Sequence, residues 1–229
     1  MGKTLKLYGL PRSATTVGKW LIRQNLDVAV LASVGGSKHG PYCLMELGIN
    51  VDGIVLVTKN PYAWLWSVFK WAKTKKKKYQ CPKNFHAMLR SPIVSPNPGY
   101  RDKYHNPVVW FNMMNYHWLS VQREPLVVLR HEDIVLTPVK ALQAVAAKFG
   151  LAWRGKFKPA KKVVRASAAL GKDAEGDWDS AERAENFARE FYVKKQYMAN
   201  FKPKDIKHVN AWLDKDVMER LGYTLEKGK

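Results

Sequence analysis

Gly9-Leu10-Pro11-Arg12-Ser13-Ala14-Thr15-Thr16 decides how the chain is read. Before it, Thr4-Leu5-Lys6-Leu7-Tyr8 alternates apolar and polar residues and is rich in strand formers. After it, Val17, Trp20 and Leu21 recur at helical spacing. The eight residues therefore form a strand-to-helix turn. Such a turn aims free N–H groups and the positive end of a helix dipole at an anion. The stretch nearly fits the Walker A pattern, with Gly9 as first glycine and Thr16 as final hydroxyl. Ala14 stands at the second glycine and Thr15 at the lysine. Without that lysine the loop argues against nucleoside-triphosphate hydrolysis. Arg12 supplies a cation inside the loop instead.

Downstream, strands and helices alternate. Residues 27–33 read as a second buried strand, followed by a Gly-rich loop at 35–41 that contains Lys38 and His39. Gly53 to Thr58 is an apolar, β-branched run expected of a central parallel strand. It ends in Lys59-Asn60-Pro61, and a helix follows with Tyr62, Leu65 and Phe69 on one stripe. Residues 106–121 read as an aromatic-rich helix, with Trp110, Phe111, Met114 and Trp118 packing the core. Residues 125–129 read as a further strand. Thr137 and Pro138 open a helix with stripe Val139, Leu142, Val145 and Phe149, closed by Gly150. A helix is expected broadly over 181–197. A last one starts at Pro203, carries Ile206, Val209, Leu213 and Val217, and ends at Gly222.

This order specifies an α/β fold of P-loop-like, three-layer type, with a central, mainly parallel sheet flanked by helices. Its 229 residues suit a single domain, 1–229. The proline-rich stretch at about 73–107, headed by the basic run Lys73 to Lys78, is expected to be a substrate lid or insertion rather than core. The loops at 9–16, 35–41 and 59–67 all follow strands, so they converge on one rim.

Lys and Arg total 39 against 19 Asp and Glu, a net charge of +20 that attracts polyanions. No zinc-finger or RNA-binding signature accompanies it, so no specific nucleic-acid partner is expected. Cys43 and Cys81 are too few for a disulfide framework and lack metal-ligand spacing. No apolar run spans a membrane, and no signal peptide is visible. A soluble, cytoplasmic protein without a metal is the expectation.

Taken together, the loops resemble the sulfotransferase family that uses 3′-phosphoadenosine 5′-phosphosulfate (PAPS). Residues 11–16 look like the family's 5′-phosphosulfate loop, in the form found in tyrosylprotein and many bacterial members. Val57-Thr58-Lys59-Asn60-Pro61 with Ser67 is similar to its 3′-phosphate motif. Arg130-His131-Glu132-Asp133-Ile134 resembles its Tyr-Glu-Asp-Leu segment, and Leu221-Gly222-Tyr223 its closing Gly-Tyr. The resemblance implies cofactor contacts from Pro11, Arg12, Ser13, Ala14, Thr15 and Thr16 at the 5′ end. It implies contacts from Lys59 and Ser67 at the 3′ end, with Lys194 and Lys195 standing in for a late basic segment. His39 is implied as general base, assisted by Lys38 and by Arg12 as electrostatic stabiliser. Glu132 and Asp133 are read as structural, His131 as structural, and His117 as helix packing. His86 and His105 lie in the expected lid, within reach of substrate, and His208 on the surface.

The acceptor is a small molecule, a glycan or a peptide, acidic if the basic run recruits it. A P-loop-type nucleotide or small-molecule kinase, and a non-catalytic polyanion-binding protein, are the alternative readings.

Overall fold

The computed structural model describes residues 2–34, 36–43, 48–74, 82–94, 102–159 and 189–228. Its centre is an all-parallel sheet of four strands: β1 (Thr4–Tyr8), β2 (Ala29–Leu31), β3 (Gly53–Thr58) and β4 (Leu126–Arg130), in the order β2-β1-β3-β4. Leu7 lies opposite Val55, and Leu56 opposite Val128. All six residues of β3 are buried, as its unbroken apolar run requires of a strand covered on both faces.

One face carries Leu5, Leu7, Val55, Val57 and Leu129. Against it pack α1 (Thr15–Asn25) through Leu21 and Ile22, and α2 (Pro138–Phe149) through Leu142, Val145 and Phe149. The other face carries Tyr8, Ile54 and Leu56. It receives α3 (Pro61–Thr74), α4 (Pro107–Leu119), α5 (Pro203–Trp212) and α6 (Lys215–Arg220). Helices on both faces make three layers. Trp110, Phe111, Met114 and Trp118 of α4 are core residues, and Trp110 meets Trp64 of α3 edge-on at 5.4 Å. Asn106 starts α4 by accepting from the Val108 and Val109 N–H groups at 2.9 Å. No helix among the described residues is long and apolar enough to cross a membrane.

The chain leaves β1 to form β2 on one side, then returns to form β3 on the other. The crevice above the carboxyl ends of β1 and β3 is therefore the switch point of the sheet, where open α/β folds bind ligands.

Several sequence expectations are corrected. The second strand is an edge of three residues, not 27–33, and its Ala29 is exposed. Val139 is exposed at the start of α2, and Ala141 and Ala146 complete the buried stripe instead. The helix expected over 181–197 is described only from 189. Residues 189–193 are helical and a 3-10 turn, Gln196–Asn200, follows. The last helix is two: Leu213 takes an extended conformation and the Asp214 side chain caps α6 through the Val217 N–H at 3.0 Å. All four residues of the expected stripe are nonetheless buried.

Residues 75–81 and 95–101, with most of the basic run and Cys81, lie outside the described residues. The described remainder of that stretch is not a detached lid. Phe85, Met88, Leu89 and Tyr104 are buried in the main core. Nor do its histidines line a rim. His86 Nδ1 pairs with Asp205 at 2.6 Å, beside an Arg90–Asp205 ion pair at 2.7 Å, and His105 packs on Trp212. His208 is half-buried and meets the Leu89 carbonyl at 3.1 Å.

Asp205 is fully buried and also accepts from the Lys202 N–H at 3.0 Å, so it ties the 85–90 segment to α5. Asp205→Ala leaves the Arg90 guanidinium without its carboxylate and His86 Nδ1 without its partner. It is expected to lower the free energy of urea unfolding by about 2 kcal/mol; unchanged stability would show that the cluster is not structural.

Candidate functional site

The loop after β1 owes its shape to a close approach. A β-carbon on Gly9 would lie 2.2 Å from the Val57 carbonyl oxygen and 2.8 Å from Thr15 Cγ2, so only glycine fits between β1 and the end of β3. Buried Ser13 holds the turn by donating its hydroxyl to the Leu10 carbonyl at 2.6 Å. Trp64 Nε1 donates to the Pro11 carbonyl at 2.8 Å, which fastens α3 to the loop. Arg12 and Ala14 both take left-handed conformations, with φ of 71° and 69°. Ala14 is the N-cap of α1 and supplies no side-chain cap. The first-turn N–H groups of α1 therefore have no side-chain acceptor at the cap and face outward with the dipole.

The 34–40 loop is pinned beside this turn. Lys6, fully buried, donates to the Val34 and Gly36 carbonyls at 2.6 and 2.8 Å. The Gly9 N–H bonds the Lys38 carbonyl at 3.0 Å, and Trp118 Nε1 bonds the Gly40 carbonyl at 3.0 Å. These anchors bring Lys38 Nζ to 3.1 Å from Thr16 Oγ1, and His39 Nδ1 to 2.5 Å from the Gly9 carbonyl. A carbonyl only accepts, so Nδ1 carries the hydrogen and the lone pair is left on Nε2. Burial, reinforced by the Lys38 charge, pushes the imidazole pKa down to about 4 against the pull of the Gly9 bond, so His39 is neutral at pH 7.

At the end of β3, Lys59 is buried and donates to Ser67 Oγ at 2.8 Å across two turns of α3. Its ammonium lies 5.4 Å from the Tyr192 ring centroid. Burial, with repulsion from Arg12 and Lys70, outweighs the attraction of Glu132 and brings its pKa down to about 7. Tyr192 also meets the His131 ring at 4.9 Å, and His131 is held well below its ordinary pKa by burial and by Lys59.

The end of β4 braces this arrangement. Glu132 accepts from the Asn60 N–H at 3.0 Å and from the Tyr223 hydroxyl at 2.8 Å. Asp133 pairs with Arg130 at 2.7 Å, and Arg130 also donates to the Gly222 carbonyl at 2.8 Å. Both carboxylates thus act as braces behind the rim, as the sequence suggested, rather than as an acid–base pair.

The structure accordingly gathers Arg12, Ser13, Ala14, Thr15, Thr16, Lys38 and His39 around one turn, and Lys59 with Ser67 beside it. Arg12 joins the two groups, since its charge is felt at both Lys59 and Tyr192. Pro11 contributes a buried backbone link. Lys194 and Lys195 are engaged elsewhere, by Glu190 at 3.2 Å and Glu226 at 2.6 Å. His117 is exposed and accepts from the Tyr42 N–H at 2.8 Å rather than packing in a core. Among the described residues no group of three or more His, Cys, Asp or Glu is placed to hold a metal.

Sequence reasoning missed Lys6, Tyr192 and Trp64. Lys6 occupies what looks like the polar phase of an alternating strand, and the partners of the other two lie far away in sequence. No family model, curated protein or solved structure matches the chain.

Arg12, Lys38 and Lys59 have no carboxylate within ion-pair distance among the described residues. Arg12 and Lys38 beside an uncapped helix start, with Lys59 next to them, have the chemistry that suits an anion.

Two outcomes follow for the ligand-free protein. Below pH 7 Lys59 is charged in folded and unfolded chains alike, and the cost of burying that charge is present in full. Above pH 7 the folded chain releases the proton while the unfolded chain retains it to about 10.5, so stability rises with pH. Lys6, lowered to about 8 by burial, adds to the rise only above that value. Lys59→Met should therefore flatten the gain in urea midpoint between pH 7 and 8; a gain of wild-type size would contradict the buried ammonium. Ala14→Gly relieves a left-handed alanine. Net of the added freedom of the unfolded chain, it should stabilise the fold by about 0.5–1 kcal/mol in the same assay.

Proposed function

We propose that the chain is a PAPS-dependent sulfotransferase, transferring a sulfuryl group to a hydroxyl or amine acceptor. The observation that carries the reading is the set of three cations without carboxylates, arranged as two groups on the switch-point rim. PAPS has two anionic ends, a 5′-phosphosulfate and a 3′-phosphate. The turn at 11–16 with Lys38 suits the first, and Lys59 with Ser67 suits the second. When bound, PAPS supplies the sulfuryl group and leaves as 3′-phosphoadenosine 5′-phosphate (PAP).

The chain's own residues do the rest. Arg12, Lys38 and the first-turn N–H groups of α1 hold anionic oxygens and stabilise negative charge on the departing phosphate side. The Thr15 and Thr16 hydroxyls are placed at the same helix start. His39 takes the acceptor proton on Nε2, the nitrogen left free by the Gly9 carbonyl. Its lone pair is free across the physiological range, and the negative charge of a bound phosphosulfate beside Lys38 would raise its basicity toward that range. A phosphate beside Lys59 favours its charged form, so binding at pH 8 draws a proton from solvent.

The reading is tested by calorimetry with PAP. Wild-type protein should bind it with net proton uptake at pH 8, visible as a heat that varies with buffer ionisation. Arg12→Ala should weaken binding by about tenfold or more. His39→Ala should bind PAP normally yet fail to move labelled sulfate to acceptors in a panel of oligosaccharides and tyrosine peptides. Absence of PAP binding, or normal binding by Arg12→Ala, overturns the proposal. Transfer that survives in His39→Ala removes the histidine from the mechanism.

A further inference from the structure

A second concave feature lies along α1, away from the switch-point rim. It is a cavity of about 480 Å³ lined by Trp20, Arg23, Gln24, Val28, Ala29 and Arg154. The helix connects it to the site just described. Thr16, Lys19, Trp20 and Arg23 stand at positions i, i+3, i+4 and i+7, and so share one face over about 10 Å. Lys19 is close enough to Lys38 for their charges to repel. A cationic track therefore runs from Lys38 and Thr16, past Lys19 and Trp20, into the cavity.

The track is built to be covered. Trp20 is 46% exposed, a large indole left facing water. Arg23 is exposed and has no carboxylate within ion-pair distance among the described residues. Arg154 is held at the rim by its N–H on the Asn25 carbonyl at 2.8 Å and by Asp27 at 3.0 Å, which uses only part of its guanidinium.

We infer that this track binds a linear acidic glycan, such as a uronate-containing oligosaccharide, and leads one of its hydroxyls toward Thr16 and Lys38 as the acceptor. The inference rests on the sulfotransferase reading for that last step alone. Pyranose rings present an apolar face to an indole while their carboxylates meet Arg23 and Lys19. An acidic peptide would best add to the open sheet edge, but β2 has three residues and templates too short a strand.

The experiment uses the full chain and a hexasaccharide of alternating glucuronate and N-acetylglucosamine, with oligo-dT and polyglutamate as competitors. Binding is measured by calorimetry at fixed salt, and PAP binding in parallel. Trp20→Ala and Arg23→Ala should each weaken hexasaccharide binding about tenfold while PAP binds as in wild type. If oligo-dT or polyglutamate binds as tightly as the glycan, or if both variants bind the glycan normally, the inference is overturned. PAP binding without glycan binding removes the glycan site alone. Glycan binding lost in Trp20→Ala, in a protein that never binds PAP, keeps the glycan site and removes the sulfotransferase reading.

Discussion

The approach of Gly9 to the Val57 carbonyl is the constraint from which the rest of the rim follows. Because no side chain intervenes, the turn after β1 lies directly on the end of β3. That proximity puts Arg12 within electrostatic reach of Lys59 and lets Trp64 of α3 bond the Pro11 carbonyl. The same glycine gives its N–H to Lys38 and its carbonyl to His39, so one residue sets the positions of three loops. A larger residue there would separate both basic groups and free the imidazole to turn.

Electrostatically the rim is assembled against its own preference. Arg12 and Lys70 both repel the Lys59 ammonium, and Lys38 is disfavoured by burial and by Lys19. The neutral braces are hydrogen bonds rather than ion pairs: Ser67 for Lys59, Thr16 for Lys38, carbonyls for Lys6. Glu132, whose charge attracts Lys59, spends its oxygens on Asn60 and Tyr223. Such a site keeps its cations oriented but unmatched, which favours anions over neutral ligands.

Much of this was legible in the sequence because it depends on local rules. The strand–turn–helix at 4–25 follows from alternation giving way to helical spacing, and β3 from an unbroken apolar run. The Lys59–Ser67 pairing is a helical offset, and the structure has their atoms in contact. What was hidden depends on contacts between distant segments. Lys6 alternates like a solvent-facing residue, yet its ammonium is consumed by carbonyls of the 34–36 loop. Tyr192 reaches Lys59 from the far end of the chain. The break at Asp214 escaped notice because the apolar period of Ile206, Val209, Leu213 and Val217 runs through it unbroken. Val139 misled for the opposite reason: it fits the period but sits on the first, outward turn of α2.

The brace formed by Tyr223 on Glu132 has a consequence for the order of events during synthesis. β1, β3 and the basic loops all leave the ribosome well before β4 begins at Leu126. Glu132 and the Asn60 N–H it holds gain their last partner only when residue 223 is made. The rim is thus closed by residues 222–226, with Arg130 on Gly222 and Lys195 on Glu226 fastened at the same stage. A nascent chain can build the sheet before this point, but the rim gains its last brace only once residues 222–226 are made.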